Sequence, residues 1–71
     1  MKFKFHGMNT EVELEPGNLI TYMKVDGSRS TGILLGWELD VFKSPTFTVL
    51  RENGVVRTIN KNMMYWCEVI S

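Results

Sequence analysis

His6, Cys67 and the row Glu11, Glu13, Glu15 are the side chains with the types and spacing to do acid–base, nucleophilic or metal chemistry. His6 is the only imidazole and Cys67 the only thiol, and they stand at opposite ends of the sequence. Catalysis by either needs base, nucleophile and orienting group within hydrogen-bond reach. Glu11 can orient His6, but no nucleophile comes with the pair, so a solvated cross-strand His6–Glu11 pair is the plainer reading. Cys67 follows Trp66 in an apolar stretch and reads as a small buried residue, not a reactive thiol. The three glutamates fall on one face of a strand, yet Lys2 and Lys4 face them in the same hairpin, and ion pairs account for the row without a metal. There is no phosphate-binding glycine loop and no nucleophile elbow. The expectation is a protein that is not an enzyme and uses no cofactor or metal.

Recognition chemistry is better represented. Tyr22, Trp37, Phe42, Phe47, Tyr65 and Trp66 are numerous for so short a chain, and rings left partly outside a core anchor partner proteins or stack on bases. Trp37, Trp66, Tyr22 and Phe42 are the candidate partner-binding residues, with Trp66 and Trp37 expected to stay the most exposed. Arg29, Arg51, Arg57 and Lys24 lie on or near turns. They are the candidate phosphate contacts of an alternative reading, RNA or DNA binding, although Asp26, Glu38 and Glu52 are interspersed among them.

Composition narrows the classes further. A chain of 71 residues buries roughly 60% of its unfolded surface, enough for one core and too little for a deep catalytic cleft as well. Eight basic and eight acidic residues cancel, so no global field draws the protein to nucleic acid or an anionic membrane. A lone cysteine excludes an internal disulfide and fits a reducing, cytoplasmic setting. No apolar run is long enough to span a bilayer, and the first residues lack the apolar stretch of a signal peptide.

The elements that must position these residues are short strands. With Gly7-Met8-Asn9-Thr10 as a turn, Lys2–His6 and Glu11–Glu15 pair antiparallel, Phe5 opposite Val12 and Phe3 opposite Leu14, with Lys4–Glu13, Lys2–Glu15 and His6–Glu11 on the other face. Pro16-Gly17 ends this hairpin. Strands are then expected over 18–25, 30–39, 46–52, 55–59 and 65–70, with one helical or 3₁₀ turn over 60–64. Gly32 and Gly36 mark the second of these as strongly bent, or closely approached by a neighbouring backbone. Ile33, Leu35, Trp37 and Leu39 alternate onto one face. Asn53-Gly54 is a two-residue type I′ candidate. The inward face of Val49-Leu50 and Val55-Val56 is left open by the pattern. Because several strands are apolar on both faces, the second apolar face must be covered by the hairpin or by a partner.

Five to seven short strands without an amphipathic helix make an all-β protein, a small barrel (residues 16–71) preceded by an N-terminal β-hairpin (residues 1–15), together one domain. From Pro16 the chain resembles the SH3-like small barrels of KOW and Tudor type. The resemblance rests on Pro16-Gly17-x-Leu19-Ile20-x-Tyr22, Thr31-Gly32-Ile33-Leu34, Thr48-Val49-Leu50-x-x-Asn53-Gly54, and the short turn before Trp66-Cys67-Glu68-Val69-Ile70. It is also similar to the very small barrel proteins that tailed bacteriophages encode, which would place it in a host cytoplasm. The resemblance implies the fold; function does not travel with a fold. The combined expectation is a binding module or assembly factor that grips a protein partner, or a second copy of itself, through an aromatic or apolar barrel face or a strand edge. Neither a membrane nor a small-molecule substrate is inferred.

Overall fold

Seven strands and one 3₁₀ turn make up the computed structural model, which describes all 71 residues. They are β1 (Lys2–Phe3), β2 (Val12–Glu13), β3 (Leu19–Lys24), β4 (Arg29–Leu39), β5 (Pro45–Arg51), β6 (Val56–Asn60) and, after the 3₁₀ turn Lys61–Met63, β7 (Met64–Val69). β1 and β2 form a small hairpin; the others form a five-stranded antiparallel sheet in the order β6-β5-β4-β3-β7. A four-strand meander is thus followed by a last strand that returns to pair with its first; the all-β architecture, the N-terminal hairpin and the 3₁₀ turn before the final strand are as expected. Asn60 caps that turn, its side chain accepting from the Asn62 N–H.

Alternation along the strands builds the core. Ile20 and Tyr22 of β3, Leu34 of β4, Phe47 and Val49 of β5, Ile59 of β6, and Met64 and Cys67 of β7 are buried together with Phe3, Phe5 and Leu14 of the hairpin. Phe3 packs edge-on against Phe47 and Trp37, with ring centroids 4.9 and 5.2 Å away. The hairpin therefore closes one end of the barrel, and the outer face of the sheet stays uncovered.

Three expectations are corrected. The hairpin's register is shifted by two residues: Lys2 faces Glu13 and Phe3 faces Val12, while the Met1 carbonyl accepts from the Leu14 N–H. A shift of two keeps every side chain on its own face, so the apolar side is as expected, but the charged partners change. Lys4–Glu13, Lys2–Glu15 and His6–Glu11 are not ion pairs; Glu13 and Glu15 instead hold the terminal ammonium of Met1, each at 2.7 Å. The tight turn opens because Phe5 is needed in the core beside Phe47 and the Gly7 N–H bonds the Tyr65 carbonyl on β7 at 2.6 Å.

The second correction lies in β4. Its pairing with β5 shifts between Leu34, which faces Val49, and Gly36, which faces Thr48, so one extra residue enters the strand there. Such a bulge reverses the alternation beyond it. Ile33 and Leu35 point outward, and Trp37 turns in against Phe3 and Phe47 instead of joining them. The third concerns Asn53-Gly54. The Arg51 N–H bonds the Val55 carbonyl and the Gly54 N–H bonds the Arg51 carbonyl, both at 2.9 Å, which makes a three-residue loop, Glu52 to Gly54. Only Gly54 is left-handed (φ 82°), whereas type I′ requires positive φ at both central residues. The Asn53 side chain accepts the Val55 N–H, holding its backbone in the ordinary region. Val25-Asp26-Gly27 repeats the device, with Gly27 at φ 90° and Asp26 accepting from Ser28.

Candidate functional site

The four aromatic candidates are not brought together. Tyr22 is 1% exposed and belongs to the core, which removes it as a docking ring. Trp37 is half-buried in the cluster with Phe3 and Phe47. Trp66 lies half-buried on the outer face beneath the Arg29 guanidinium, which sits 5.1 Å from its ring centroid. Phe42 is free, 86% exposed beside Val41 at the tip of the loop between β4 and β5. That loop is held in place from below. Asp40 accepts from the Phe42 and Ser44 N–H groups, and Asn60 donates to Asp40 and Thr46 while accepting from Ser44. Tyr65, 44% exposed, is a further open ring.

The chemistry-bearing residues of the sequence remain apart. Cys67 is buried, and that burial pushes its thiol up to about 12 from an ordinary 9.0, the direction opposite to a reactive thiolate. His6 is exposed and pairs with no carboxylate. No group of His, Cys, Asp and Glu comes together in a metal-ligating cluster.

Two surfaces do assemble. Pair by pair across the outer face, Leu19 stands beside Ile33, Ile33 beside Leu50, and Leu50 beside Val56. On the far side of Leu19, the Ile70 N–H bonds the Leu19 carbonyl at 2.7 Å and continues the row past β7. Ile33, Val56 and Ile70 are 41%, 53% and 54% exposed, and Leu35 beside the bulge is open as well. A shallow hollow of about 340 Å³ lies along this row between Leu19, Ile33 and Leu50, edged by Thr31, Arg51 and Glu52. Directly opposed β-branched and leucine side chains form continuous apolar strips on a sheet, and here nothing in the chain covers the strip.

The second surface is a concavity at the rim of the barrel. Here Lys24, Arg51 and Arg57 line one pocket of about 240 Å³ with Tyr22, Thr58 and Ile59. Three of the four residues of the nucleic-acid reading thus converge; the fourth, Arg29, is apart on Trp66. In the sequence these cations are interspersed with Asp26, Glu38 and Glu52, and nothing there gathers them. The signal that would have found them is the core alternation carried one step further: Ile20, Tyr22, Lys24 on β3; Phe47, Val49, Arg51 on β5; Ile59, then Arg57, on β6.

Against family models, curated proteins and solved structures, the chain matches nothing. No helix is long and apolar enough to cross a membrane.

Proposed function

We propose that the protein is a non-enzymatic binding module that docks a protein partner on the outer face of its sheet. The single observation that carries this reading is the cross-strand apolar row Ile70, Leu19, Ile33, Leu50 and Val56, in which Ile70, Ile33 and Val56 are open to solvent and Leu19 and Leu50 half-buried between them. Its support is physical: such a strip is costly to leave in water, and covering it needs no rearrangement of strands that are already paired. The protein's neutrality agrees, because recognition then rests on shape and apolar contact instead of a long-range field. The exposed Phe42 tip adds a second anchor of the same chemistry, held rigid by Asp40 and Asn60.

The test compares two baits in extract of the cells that make the protein: the native chain, and a chain carrying Ile33→Glu, checked by circular dichroism to keep its fold. A partner held by the native chain through a wash at roughly 0.5 M salt, where charge contacts are screened within a few Å, and lost from the Ile33→Glu bait supports the reading. The same protein on both baits, or one released by salt alone, refutes it.

A further inference from the structure

We infer that the open mouth of the barrel is a binding site for a phosphate group, of the kind borne by free phosphate or a terminal phosphomonoester. This site shares Arg51 with the edge of the apolar hollow, but it does not depend on a partner docking there. The inward-facing positions of a small barrel are apolar because the interior is dry, and here three strands end their inward series on a cation at the same end. Lys24 and Arg51 are the residues at which the loops Val25–Gly27 and Glu52–Gly54 close, each donating its N–H across the loop, to Ser28 and Val55 respectively. Arg57 enters from β6 opposite Val49. The three line a single concave pocket.

None of the three has a salt-bridge partner; the ion pairs of the structure are those of Met1 with Glu13 and Glu15. Asp26, the acid that feels Lys24, uses its Oδ1 to accept from the Ser28 N–H and hydroxyl at 2.9 and 2.7 Å, and these bonds are what chiefly hold its carboxyl below the usual value. Glu52 lines the hollow on the outer face, whose edge Arg51 shares, and makes no ion pair with it. Three positive groups around a pocket with no acid of their own attract an anion.

Tyr22 adds the second observation. Its side chain is 1% exposed and lines the pocket, and no side-chain hydrogen bond of the protein uses its hydroxyl. No buried side-chain oxygen is left without a partner or access to solvent, so the hydroxyl opens to the pocket. A core tyrosine with its polar end given to a cationic pocket supplies one directional hydrogen bond beside two guanidinium forks, which match tetrahedral oxyanions two oxygens at a time.

Size and charge select the ligand. A volume of about 240 Å³ is that of roughly eight waters at ~30 Å³ each, room for a phosphate group with part of its hydration shell. A strand of nucleic acid carries its phosphates in series and needs a basic stripe along which to lie. This surface offers one pit, with Arg29 engaged on Trp66 and no net charge overall. A group with two negative charges at one point is the better match.

Inorganic phosphate, titrated into the isotope-labelled chain at constant ionic strength against chloride, tests the assignment by nuclear magnetic resonance. The expected result is a saturable shift of the Lys24, Arg51, Arg57 and Thr58 amides, with affinity falling roughly tenfold for each of Arg51→Gln and Arg57→Gln. Tyr22→Phe removes only an oxygen that the protein itself does not use, so it keeps the fold and weakens phosphate several-fold. A linear response equal to that of chloride, a response elsewhere on the chain, or undiminished binding in the folded Tyr22→Phe and Arg51→Gln chains overturns the assignment. Short oligonucleotides with and without a 5′-phosphate separate the sources. Displacement of phosphate by the phosphorylated strand alone points to a polymer end, and displacement by neither points to a free small molecule; both support the pocket. Equal binding of the two strands assigns the residues to a nucleic-acid backbone and overturns the phosphomonoester site.

Discussion

Gly32 and Gly36 stand four positions apart on β4, and the same substitution at each is expected to move stability in opposite directions. A Cβ on Gly32 meets the Leu50 carbonyl oxygen at 2.5 Å and Val49 Cγ1 at 2.7 Å. The first contact is with the backbone of the neighbouring strand, so no side-chain rotation relieves it, and β4 and β5 must part where Gly32 faces Arg51. Overpacking of this kind costs about 1–3 kcal/mol, and removal of a strand glycine returns about 0.5–1 kcal/mol of it. A net loss of about 1–2 kcal/mol lowers the melting temperature of a domain this small by about 4–16 °C. At Gly36 a Cβ meets nothing within 4 Å, and the backbone is not left-handed. Gly36→Ala therefore acts mainly on the unfolded chain and stabilises by about 0.4–1 kcal/mol, a rise of about 2–8 °C. Thermal melts followed by tryptophan fluorescence decide the matter. If Gly32→Ala melts at or above the native chain, or the two variants melt within about 2 °C of each other, the close approach of β4 to β5 is not what Gly32 is for.

Two further outcomes follow from single residues. The folded Cys67 thiol keeps its proton to about pH 12, whereas the unfolded thiol loses it near 9.0. Between those values the folded state binds the extra proton, so stability is intact below pH 9.0 and falls above it by about 1.4 kcal/mol per pH unit. Urea midpoints measured across that range show this slope in the native chain, and Cys67→Ala flattens it; an equal slope in both assigns the alkaline loss to other groups. Asn60→Ala removes the donors to Asp40 and Thr46 and the acceptor for Ser44 and Asn62. It costs about 1–2 kcal/mol and speeds amide exchange at Phe42 and Ser44, while Asn60→Asp is worse because a carboxylate cannot donate to Asp40. Unchanged exchange in the loop counts against Asn60 as its anchor.

How far the fold was legible can be read residue by residue. Alternation in 18–25 and 46–52, turn residues and the absence of a helical period are enough for an all-β barrel of short strands ending in a strand over 65–70, because those signals are local; which strand the last one pairs with is not. What they could not fix was phase. The hairpin's register slipped by two, a change invisible to a period-two pattern, because the deciding contacts of Phe5 with Phe47 and of Gly7 with Tyr65 are long-range. One extra residue at Leu35 inverted Trp37, and nothing local distinguishes a bulged strand carrying two glycines from a merely bent one. Of the candidate site, Lys24, Arg51 and Arg57 are legible as candidate phosphate contacts but not as neighbours, since the pattern leaves the inward face of Val49-Leu50 and Val55-Val56 open. With Val49 placed inward, Arg51 and Arg57 fall into the core series at once.

That placement bears on why the two ends of the barrel differ. A core of this size can be closed at either mouth by apolar side chains, as Phe3, Phe5 and Leu14 do at the hairpin end. At the open rim the positions of the same phase carry Lys24, Arg51 and Arg57, and the ring beneath them is a tyrosine where phenylalanine would pack equally well. Stability alone favours neither choice. Cations at inward-phase positions repel one another, and a phenol oxygen facing a pocket adds nothing to packing. A sequence under selection only for a sound barrel has no reason to hold four polar groups at one mouth while leaving the other greasy. If stability is their purpose after all, Tyr22→Phe and Arg57→Gln will each lower the melting temperature in phosphate-free buffer; if the mouth is for an anion, both will leave it unchanged or raise it, and only phosphate will restore the native chain's advantage.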